Sequence, residues 1–243
     1  MFTRPRTGFS WRSASATATG NVRAHNEDSV LDLPEVGLWV VADGMGGHNA
    51  GDVASRMIVE TLAQLRRRSP PSALLDDLED RLSEVNARLY NASLASNGGT
   101  SGSTVVALLA LERHCVTLWA GDSRLYRSRD RSLVQITRDH SEAQELLEGG
   151  LLEAYEVAPS NVITRAVGGD RELHLDIELC ELRHRDRFLL CSDGLYRELN
   201  EGDMSHHLAA NDPRGACKAL MKQALAGPCT DNVSVVVVEF TEA

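Results

Sequence analysis

Four aspartates of this sequence stand beside apolar runs that are typical of buried strands. Asp43 and Asp193 each end such a run and precede a glycine, Asp122 follows the run 116–121, and Asp231 comes just before the run 233–238. A single Asp-Gly step is most often an ordinary turn. Four such residues at strand ends instead favour one shared site, because a rigid scaffold can hold each carboxylate steady.

Carboxylates alone make up this candidate site, with no matched histidine or cysteine spacing beside them. Oxygen-only ligation selects hard cations such as Mg²⁺ or Mn²⁺ over zinc or copper. Two such ions about 3.5–4 Å apart can clamp a water, lower its pKa and direct it in line at phosphorus. The calcium loop of EF-hand proteins is absent, so a dedicated calcium sensor is not predicted.

Two further segments carry residues suited to phosphate chemistry. Glycines in the stretch 43–48 would let the backbone approach an ion or a phosphate, and the Gly44 carbonyl could itself be a ligand. No Gly-Lys-Ser/Thr follows, so this is not a nucleotide-binding P-loop. Upstream, Arg23 precedes Glu27 and Asp28. A guanidinium can hold a phosphoryl group through two parallel hydrogen bonds, although a surface ion pair explains Arg23 equally well.

Strands and helices alternate in blocks along the chain. Apolar alternation and β-branched residues predict eleven strands: Ser10–Thr19, Asp28–Leu33, Leu38–Ala42, Ser103–Leu111, Cys115–Ala120, Ser123–Ser128, Leu133–Ile136, Asn161–Ala166, Leu173–Glu181, Arg187–Ser192 and Val233–Phe240. Helical spacing and capping residues predict helices over 52–68, 72–95, 141–148 and 212–225. Hairpin-length links imply antiparallel pairing. The order of elements predicts an α+β protein with antiparallel sheets covered by helices.

Composition narrows the classes of protein. The chain has 243 residues and a formal net charge of −10, which argues against nucleic acid as the main partner. No apolar run approaches the ~20 residues that a membrane helix needs, and no secretory signal is found. Five cysteines without a C-x-x-C pair predict buried free thiols and a cytoplasmic protein. We expect one domain over residues 1–243 and a monomer.

Eight motifs in a fixed order give the chain a resemblance to the bacterial metal-dependent protein phosphatases of type 2C, a family of serine/threonine phosphatases. The motifs lie at residues 19–28, 40–48, 102–104, 120–124, 137–141, 163–168, 190–195 and 230–232, and they cover nearly the whole chain. The resemblance implies a four-layer α-β-β-α sandwich, in which two antiparallel sheets are flanked by helix pairs.

The resemblance also implies roles for the candidate residues. Asp43 would bridge two ions, with Gly44 on one of them and Asp193 and Asp231 on the other. Asp122, helped by Asp193, would hold a third and weaker ion. Arg23 would bind the phosphate. Glu27 and Asp28 would support the site, and residues from about 140 to 161 would form the mobile flap of the family.

Two positions depart from the family pattern. Many eukaryotic relatives carry a histidine after the Asp-Gly step, where a general-acid role is often assigned, but this chain has Met45. We therefore expect metal-bound water to protonate the leaving oxygen, with the nearby His48 serving the structure of the loop. The Gly-Thr-Thr step of many bacterial members is Gly102-Ser103-Thr104 here, which should not affect metal binding.

Two alternatives to a metal-dependent phosphatase fit the residues less well. A haloacid dehalogenase-type phosphatase needs an Asp-x-Asp pair, and Asp43-Gly44-Met45 lacks the second acid. A pseudophosphatase that only binds phosphoproteins would be favoured by the loss of a ligand, yet Arg23, Asp43, Asp193 and Asp231 are present. The expected partners are phosphoserine and phosphothreonine proteins and a cognate serine/threonine kinase. The sequence also resembles phosphatases that accompany bacterial type VI secretion systems.

Overall fold

The computed structural model describes residues 8–46, 50–68, 70–95, 101–150 and 162–242. Within these ranges the strands are β1 (Phe9–Ala18), β2 (Asp28–Leu33), β3 (Leu38–Gly46), β4 (Ser101–Ser103), β5 (Val105–Leu111), β6 (His114–Ala120), β7 (Arg124–Arg129), β8 (Ser132–Gln135), β9 (Asp176–Glu181), β10 (Arg187–Cys191) and β11 (Val233–Glu242). The helices are α1 (Ala50–Leu62), α2 (Ser72–Ala95), α3 (Glu142–Glu148), α4 (Asp193–Tyr196), α5 (Glu201–Ala210) and α6 (Pro213–Ala226).

Two antiparallel sheets form the centre of the fold. The first has the strand order β1-β11-β10-β7-β8, and the second has the order β2-β3-β5-β6-β9 with β4 paired to the end of β3. Trp39, Phe188 and Phe240 are fully buried where the two sheets face each other. The ring of Phe240 meets the edges of the other two, with centroids 5.8 Å and 5.6 Å away, a favoured arrangement for aromatic pairs.

Helices cover the outer face of each sheet. Apolar residues of α1 and α2, among them Ile58 and Leu82, pack on the second sheet. Residues of α5 and α6, among them Leu208 and Leu220, pack on the first. The predicted α-β-β-α sandwich is therefore confirmed. Within the described part of the chain, no helix combines the length and the apolar character that crossing a bilayer requires.

Several predicted boundaries were wrong, each for a local reason. The first helix ends at Leu62 rather than at residue 68, because the apolar stripe stops at Leu65 and the Arg66 guanidinium donates to the carbonyls of Ala63 and Leu65. Of the strand predicted over 161–166, residue 161 lies outside the described residues. The rest forms only an isolated bridge at Ile163. The strand predicted from residue 173 begins at 176.

Other elements were not predicted. Helix α5 buries only Met204 and Leu208, which is too little periodicity to stand out. The short elements β4 and α4 were missed as well. Two predicted helix caps were correct: Ser141 accepts a hydrogen bond from the Gln144 amide, and Asp212 accepts one from the Gly215 amide. Ser72, which the sequence also predicts as a cap, is instead the first residue of α2. All five cysteines are free and buried, as expected.

Candidate metal and phosphate site

Asp43 lies inside β3, at the point where that strand changes partners. Its register partner on β2 is Asp28, and from Gly44 onward β3 pairs with β4 instead. The Thr104 hydroxyl accepts a hydrogen bond from the Asp43 amide at 3.0 Å, and the Thr104 amide and the Ser103 hydroxyl both donate to the Asp43 carbonyl. The Gly102-Ser103-Thr104 step therefore fixes the backbone that carries the Asp43 carboxylate.

At each of the two Asp-Gly steps, the glycine lies where another backbone segment approaches closely, rather than in a turn. A Cβ at Gly44 would lie 2.1 Å from the carbonyl oxygen of Gly51, at the start of α1. A Cβ at Gly194 would lie 2.0 Å from the carbonyl oxygen of Asn232, next to β11. Neither glycine has a positive φ. Glycine is needed at both places because only a residue without a side chain allows these backbones to approach.

Strands β10 and β11 bring the other two predicted ligands to the same place. Asp193 follows β10 and opens α4, while Asp231 comes just before β11, which pairs with β10. Asn232 links Asp231 to the loop before β2: its amide donates to Asp231 Oδ1 at 2.9 Å, and its side-chain oxygen accepts from the Glu27 amide at 2.8 Å. Strand pairing thus converts distant sequence positions into one cluster.

One cavity of about 220 Å³ gathers nearly all of the predicted site residues. The predicted members that line it are Arg23, Glu27, Asp43, Gly44, Asp122, Asp193 and Asp231. Asp28 lies behind this lining, 6% exposed, with its Oδ2 accepting a hydrogen bond from the Ser192 hydroxyl at 2.7 Å. We call this space the catalytic cavity from here on.

Two arginines reach into the catalytic cavity and pair with its acids. Arg23 Nη2 lies 2.8 Å from Asp231 Oδ2, and Arg197 Nη2 lies 2.8 Å from Asp193 Oδ2. The two interpretations of Arg23 are thus not exclusive, since it makes an ion pair and also faces the cavity. A bound phosphoryl group would find both guanidiniums at its rim.

Crowding of buried acids dominates the electrostatics of the catalytic cavity. Burial raises the pKa of Asp28 to about 7, with Asp193 and Asp231 adding to the rise while the bonds from Ser192 and Ser234 oppose it. Burial also raises the pKa of Asp122 to about 6, helped by Asp193 and Asp139. Without a further positive charge, these carboxylates destabilise one another.

The same pattern holds for the two central acids. Burial, then repulsion from Asp28, Asp193, Asp122 and Asp231, raises the pKa of Asp43 well above its ordinary value. The pKa of Asp193 is raised by burial, with Arg197 opposing that rise and Asp231 adding to it. The pKa of Glu27 is raised as well, chiefly by burial. A cluster in this condition binds cations readily.

The donor set of the catalytic cavity fits a hard divalent cation. Its acids offer only oxygen, and Oδ1 of Asp28 is buried without a hydrogen-bond partner among the described residues. In the described part of the chain no three acid, histidine or cysteine side chains already stand as a closed metal cage, since Arg23 and Arg197 draw Asp231 and Asp193 to themselves.

The general-acid position and the predicted flap are only partly covered by the described residues. Met45, at the position where many eukaryotic relatives carry a histidine, lines the catalytic cavity, and His48 lies outside the described residues. Of the predicted flap, residues 140–150 contain α3, while 151–161 are likewise outside the described residues. The Tyr196 hydroxyl donates to the Asp122 carbonyl at 3.1 Å, which helps to hold the loop between β6 and β7.

Sequence reasoning missed two residues that shape the catalytic cavity. Arg197 stands four residues after Asp193, a spacing that places both on one side of a helical turn. That four-residue spacing is visible in the sequence and is the signal that could have identified Arg197. The role of Asn232 depends on three segments meeting in space, since it contacts Asp231, Glu27 and the carbonyls of Thr19 and His25. No local pattern reveals such a contact.

Comparison with known proteins gives one consistent result. Residues 20–226 match the protein phosphatase 2C family. The serine/threonine protein phosphatase PstP of Mycobacterium tuberculosis is 34% identical over 235 residues, which cover 95% of this chain. The chain spans about half of the length of that curated relative, since the match covers 45% of it.

Solved structures agree with this assignment. PppA, described as a key regulatory component of the type VI secretion system in Pseudomonas aeruginosa, superposes with a TM-score of 0.89 at 42% identity, covering 95% of this chain and 97% of that one. The catalytic domain of PstP in complex with two manganese ions superposes with a TM-score of 0.87 at 34% identity, covering 96% of this chain and all of that one. This chain belongs to the protein phosphatase 2C family of serine/threonine protein phosphatases.

Proposed function

We propose that this protein hydrolyses phosphoserine and phosphothreonine in other proteins, with two divalent cations, Mn²⁺ or Mg²⁺, held in the catalytic cavity. One observation carries the proposal: five acids from five separate segments line one cavity together with Arg23. A structural ion-pair network would give each buried acid a cation of its own. Here only Asp193 and Asp231 of the lining acids have a described arginine partner, and burial, followed by repulsion from neighbouring acids, raises the pKa of Asp43 and of Asp122.

The proposed ligands keep the roles that the resemblance implies. Asp43 would lie between two ions, with the Gly44 carbonyl on one side and Asp193 and Asp231 on the other. Asp122, with Asp193, would offer a third and weaker position. When bound, such cations would lower the pKa of a water for attack on phosphorus and offset the charge of the phosphoryl oxygens. Arg23 would orient the phosphoryl group through its two parallel N–H groups.

Protonation of the leaving oxygen needs no side chain at position 45. Met45 cannot donate a proton, and it lines the cavity where a donor would stand. We infer that a water in the cavity supplies this proton. Glu27, which lines the cavity, would orient water there, and Asp28 would act from behind by holding the Ser192 hydroxyl.

The cellular setting that we propose follows the relatives. As a serine/threonine protein phosphatase, the protein would oppose a serine/threonine kinase. PppA is 42% identical and is described as a regulatory component of type VI secretion, which supports a similar setting here. That the protein is cytoplasmic and monomeric remains a prediction.

Metal removal and replacement tests the proposed function. Turnover of a phosphothreonine peptide should fall to background after exhaustive chelation and return on addition of Mn²⁺, because an all-carboxylate site binds such ions reversibly. Asp43→Asn protein is the control and should stay inactive after Mn²⁺ is added. Full activity of the chelated protein would rule out the metal mechanism. Tight phosphopeptide binding without turnover in Mn²⁺ would support the pseudophosphatase alternative.

A further inference from the structure

A second cavity opens directly beside the catalytic cavity. It measures about 380 Å³, against about 220 Å³ for the catalytic cavity. Met45, Gly46 and Ile163 line both spaces. A group that enters this side pocket is therefore next to whatever occupies the catalytic cavity.

The wall of the side pocket is apolar and fixed by the backbone. Met45, Ile163 and Ala166 supply its apolar surface. Gly168 has a φ of +87°, and a Cβ there would lie 2.7 Å from the Leu89 side chain and 2.9 Å from the Ser101 carbonyl oxygen. Only glycine fits at that position. The wall therefore keeps its shape and suits a chain of methylene groups.

The rim of the side pocket carries unbalanced negative charge. Asp170 and Glu172 line it and are both exposed. The positive charge of Arg165, which also lines it, is already matched by an ion pair with Asp176, with Arg165 Nη1 2.8 Å from Asp176 Oδ1. Arg171 stands between the two rim acids in sequence but is not among the lining residues. A visiting cation would meet two carboxylates.

We propose that the side pocket binds an arginine or lysine side chain of the phosphoprotein substrate, close in sequence to the phosphorylated residue. This inference rests on the proposed function. Long basic side chains lay their methylenes on apolar surface while the charged head stays at a polar rim. An acidic neighbour would be repelled by Asp170 and Glu172, and a short apolar one would leave them unpaired. An extended chain advances about 3.3–3.6 Å per residue, so the basic residue lies within about three positions.

Paired phosphopeptides test this directly. Three phosphothreonine peptides should differ at one flanking position, carrying arginine, alanine or glutamate, and that position should be moved stepwise from −3 to +3. At the best position, kcat/KM should be about twofold to fivefold higher for arginine than for alanine, as expected for partly exposed ion pairs. It should be lowest for glutamate. Nitrophenyl phosphate, which has no flanking residue, measures the chemistry alone.

Variants locate the preference in the side pocket. Asp170→Asn with Glu172→Gln should remove the advantage of arginine while leaving alanine-peptide and nitrophenyl phosphate turnover unchanged. Asp76→Asn with Asp80→Asn is the matched control, since it removes the same charge from exposed positions of α2 and should leave the preference intact. Equal turnover of all peptides by the unaltered protein would overturn the proposal. A preference that survives in the rim variant, or disappears in the control, would do so as well.

A binding measurement separates this inference from the proposed function. Fluorescence anisotropy of the same labelled peptides, with the cations chelated, should still rank arginine above alanine in the unaltered protein and equalise them in the Asp170→Asn, Glu172→Gln variant. Inactivity in Mn²⁺ together with this ranking would contradict the proposed function but support the side pocket. Activity in Mn²⁺ without any ranking would contradict the side pocket alone.

Discussion

Strands β10 and β11 have buried acids at both of their ends, and the two ends are built in opposite ways. At one end, Asp186 is fully buried and Arg129 grips both of its carboxylate oxygens, at 2.7 Å and 2.6 Å. Glu239 is 5% exposed and accepts hydrogen bonds from Arg12 and Arg187. Although burial alone would raise the pKa of Glu239, its bonds to Arg12 and Arg187 hold that pKa below the ordinary value.

At the other end, the acids outnumber the arginines. Asp28, Asp43, Asp122 and Asp193 are all held near the catalytic cavity, and the pKa of each is raised, with burial as the largest cause. Asp193 follows β10, while Asp28, Asp43 and Asp122 come from β2, β3 and the loop after β6, so this end collects acids from both sheets. A buried acid whose arginines hold its pKa low serves the fold. A cluster in which the acids outnumber their arginines and keep raised pKa values, as at Asp193 beside Arg197, marks a place where a cation binds.

Removing one central acid should have the largest effect on activity. Asp193→Asn should lower kcat by about 10³-fold, because a bound metal supplies several kcal/mol of charge stabilisation in the transition state. The cation-free variant should unfold at the same temperature as the unaltered protein or higher, since a mutually repelling carboxylate is gone. Asp122→Asn is the matched comparison and should lose far less activity. Equal losses in the two variants would contradict the proposed ranking of the metal positions.

The paired end should respond in the reverse way. Asp186→Asn leaves the guanidinium of Arg129, whose side chain is 17% exposed, without its carboxylate. Breaking a buried pair from one side typically costs about 3–5 kcal/mol. We expect urea denaturation to show a loss of this size, with kcat/KM at low temperature nearly unchanged. A stable but inactive Asp186→Asn protein would remove the distinction between the two ends.

The pH dependence of stability should separate the two ends without any mutation. The pKa of Asp28 is raised to about 7 and that of Asp122 to about 6, so between about pH 4 and pH 7 the folded, cation-free protein binds more protons than the unfolded chain. Its stability therefore falls as the pH rises through this window. We expect chelated protein to melt about 3–6 °C higher at pH 5.5 than at pH 8.

Added Mn²⁺ is the control for that pH effect. It should raise the melting temperature most at pH 8, where the carboxylates are ionised, and so flatten the pH dependence. Glu239 works in the opposite sense, because its lowered pKa contributes stability that is lost only as the pH falls below about 4.5. Chelated protein that is more stable at pH 8 than at pH 5.5 would show that the cluster is not under strain.

Replacing Arg23 by lysine should have the smallest effect of these changes. Arg23→Lys keeps the positive charge but loses the two parallel N–H groups. We expect KM for a phosphopeptide to rise and kcat/KM to fall about tenfold, by analogy with other charge-assisted hydrogen bonds. Steady-state kinetics unchanged from those of the unaltered protein would leave Arg23 as an ion-pair partner of Asp231 only.

The sequence predicts most of the fold and the acids of the site, for a physical reason. Apolar runs ending in aspartate are local patterns, and strand pairing then brings their ends together, as it does for Asp43 and Asp193. The role of Asn232 could not be predicted because its partners lie far away in sequence. Helix α5 buries too few apolar residues to produce a clear period. The continuation of β3 past Asp43 depends on β4, a strand of three residues.

The most direct test of the central claim is calorimetric titration of the chelated protein with Mn²⁺ at pH 6 and at pH 8. We expect at least two ions per chain. At pH 6, protons should be released, because carboxylates with raised pKa values must ionise to bind metal, and the release should fade at pH 8. Asp43→Asn should lose most of this binding, and Asp186→Asn should retain it. Binding of less than one ion per chain, or unchanged binding by Asp43→Asn, would contradict the account.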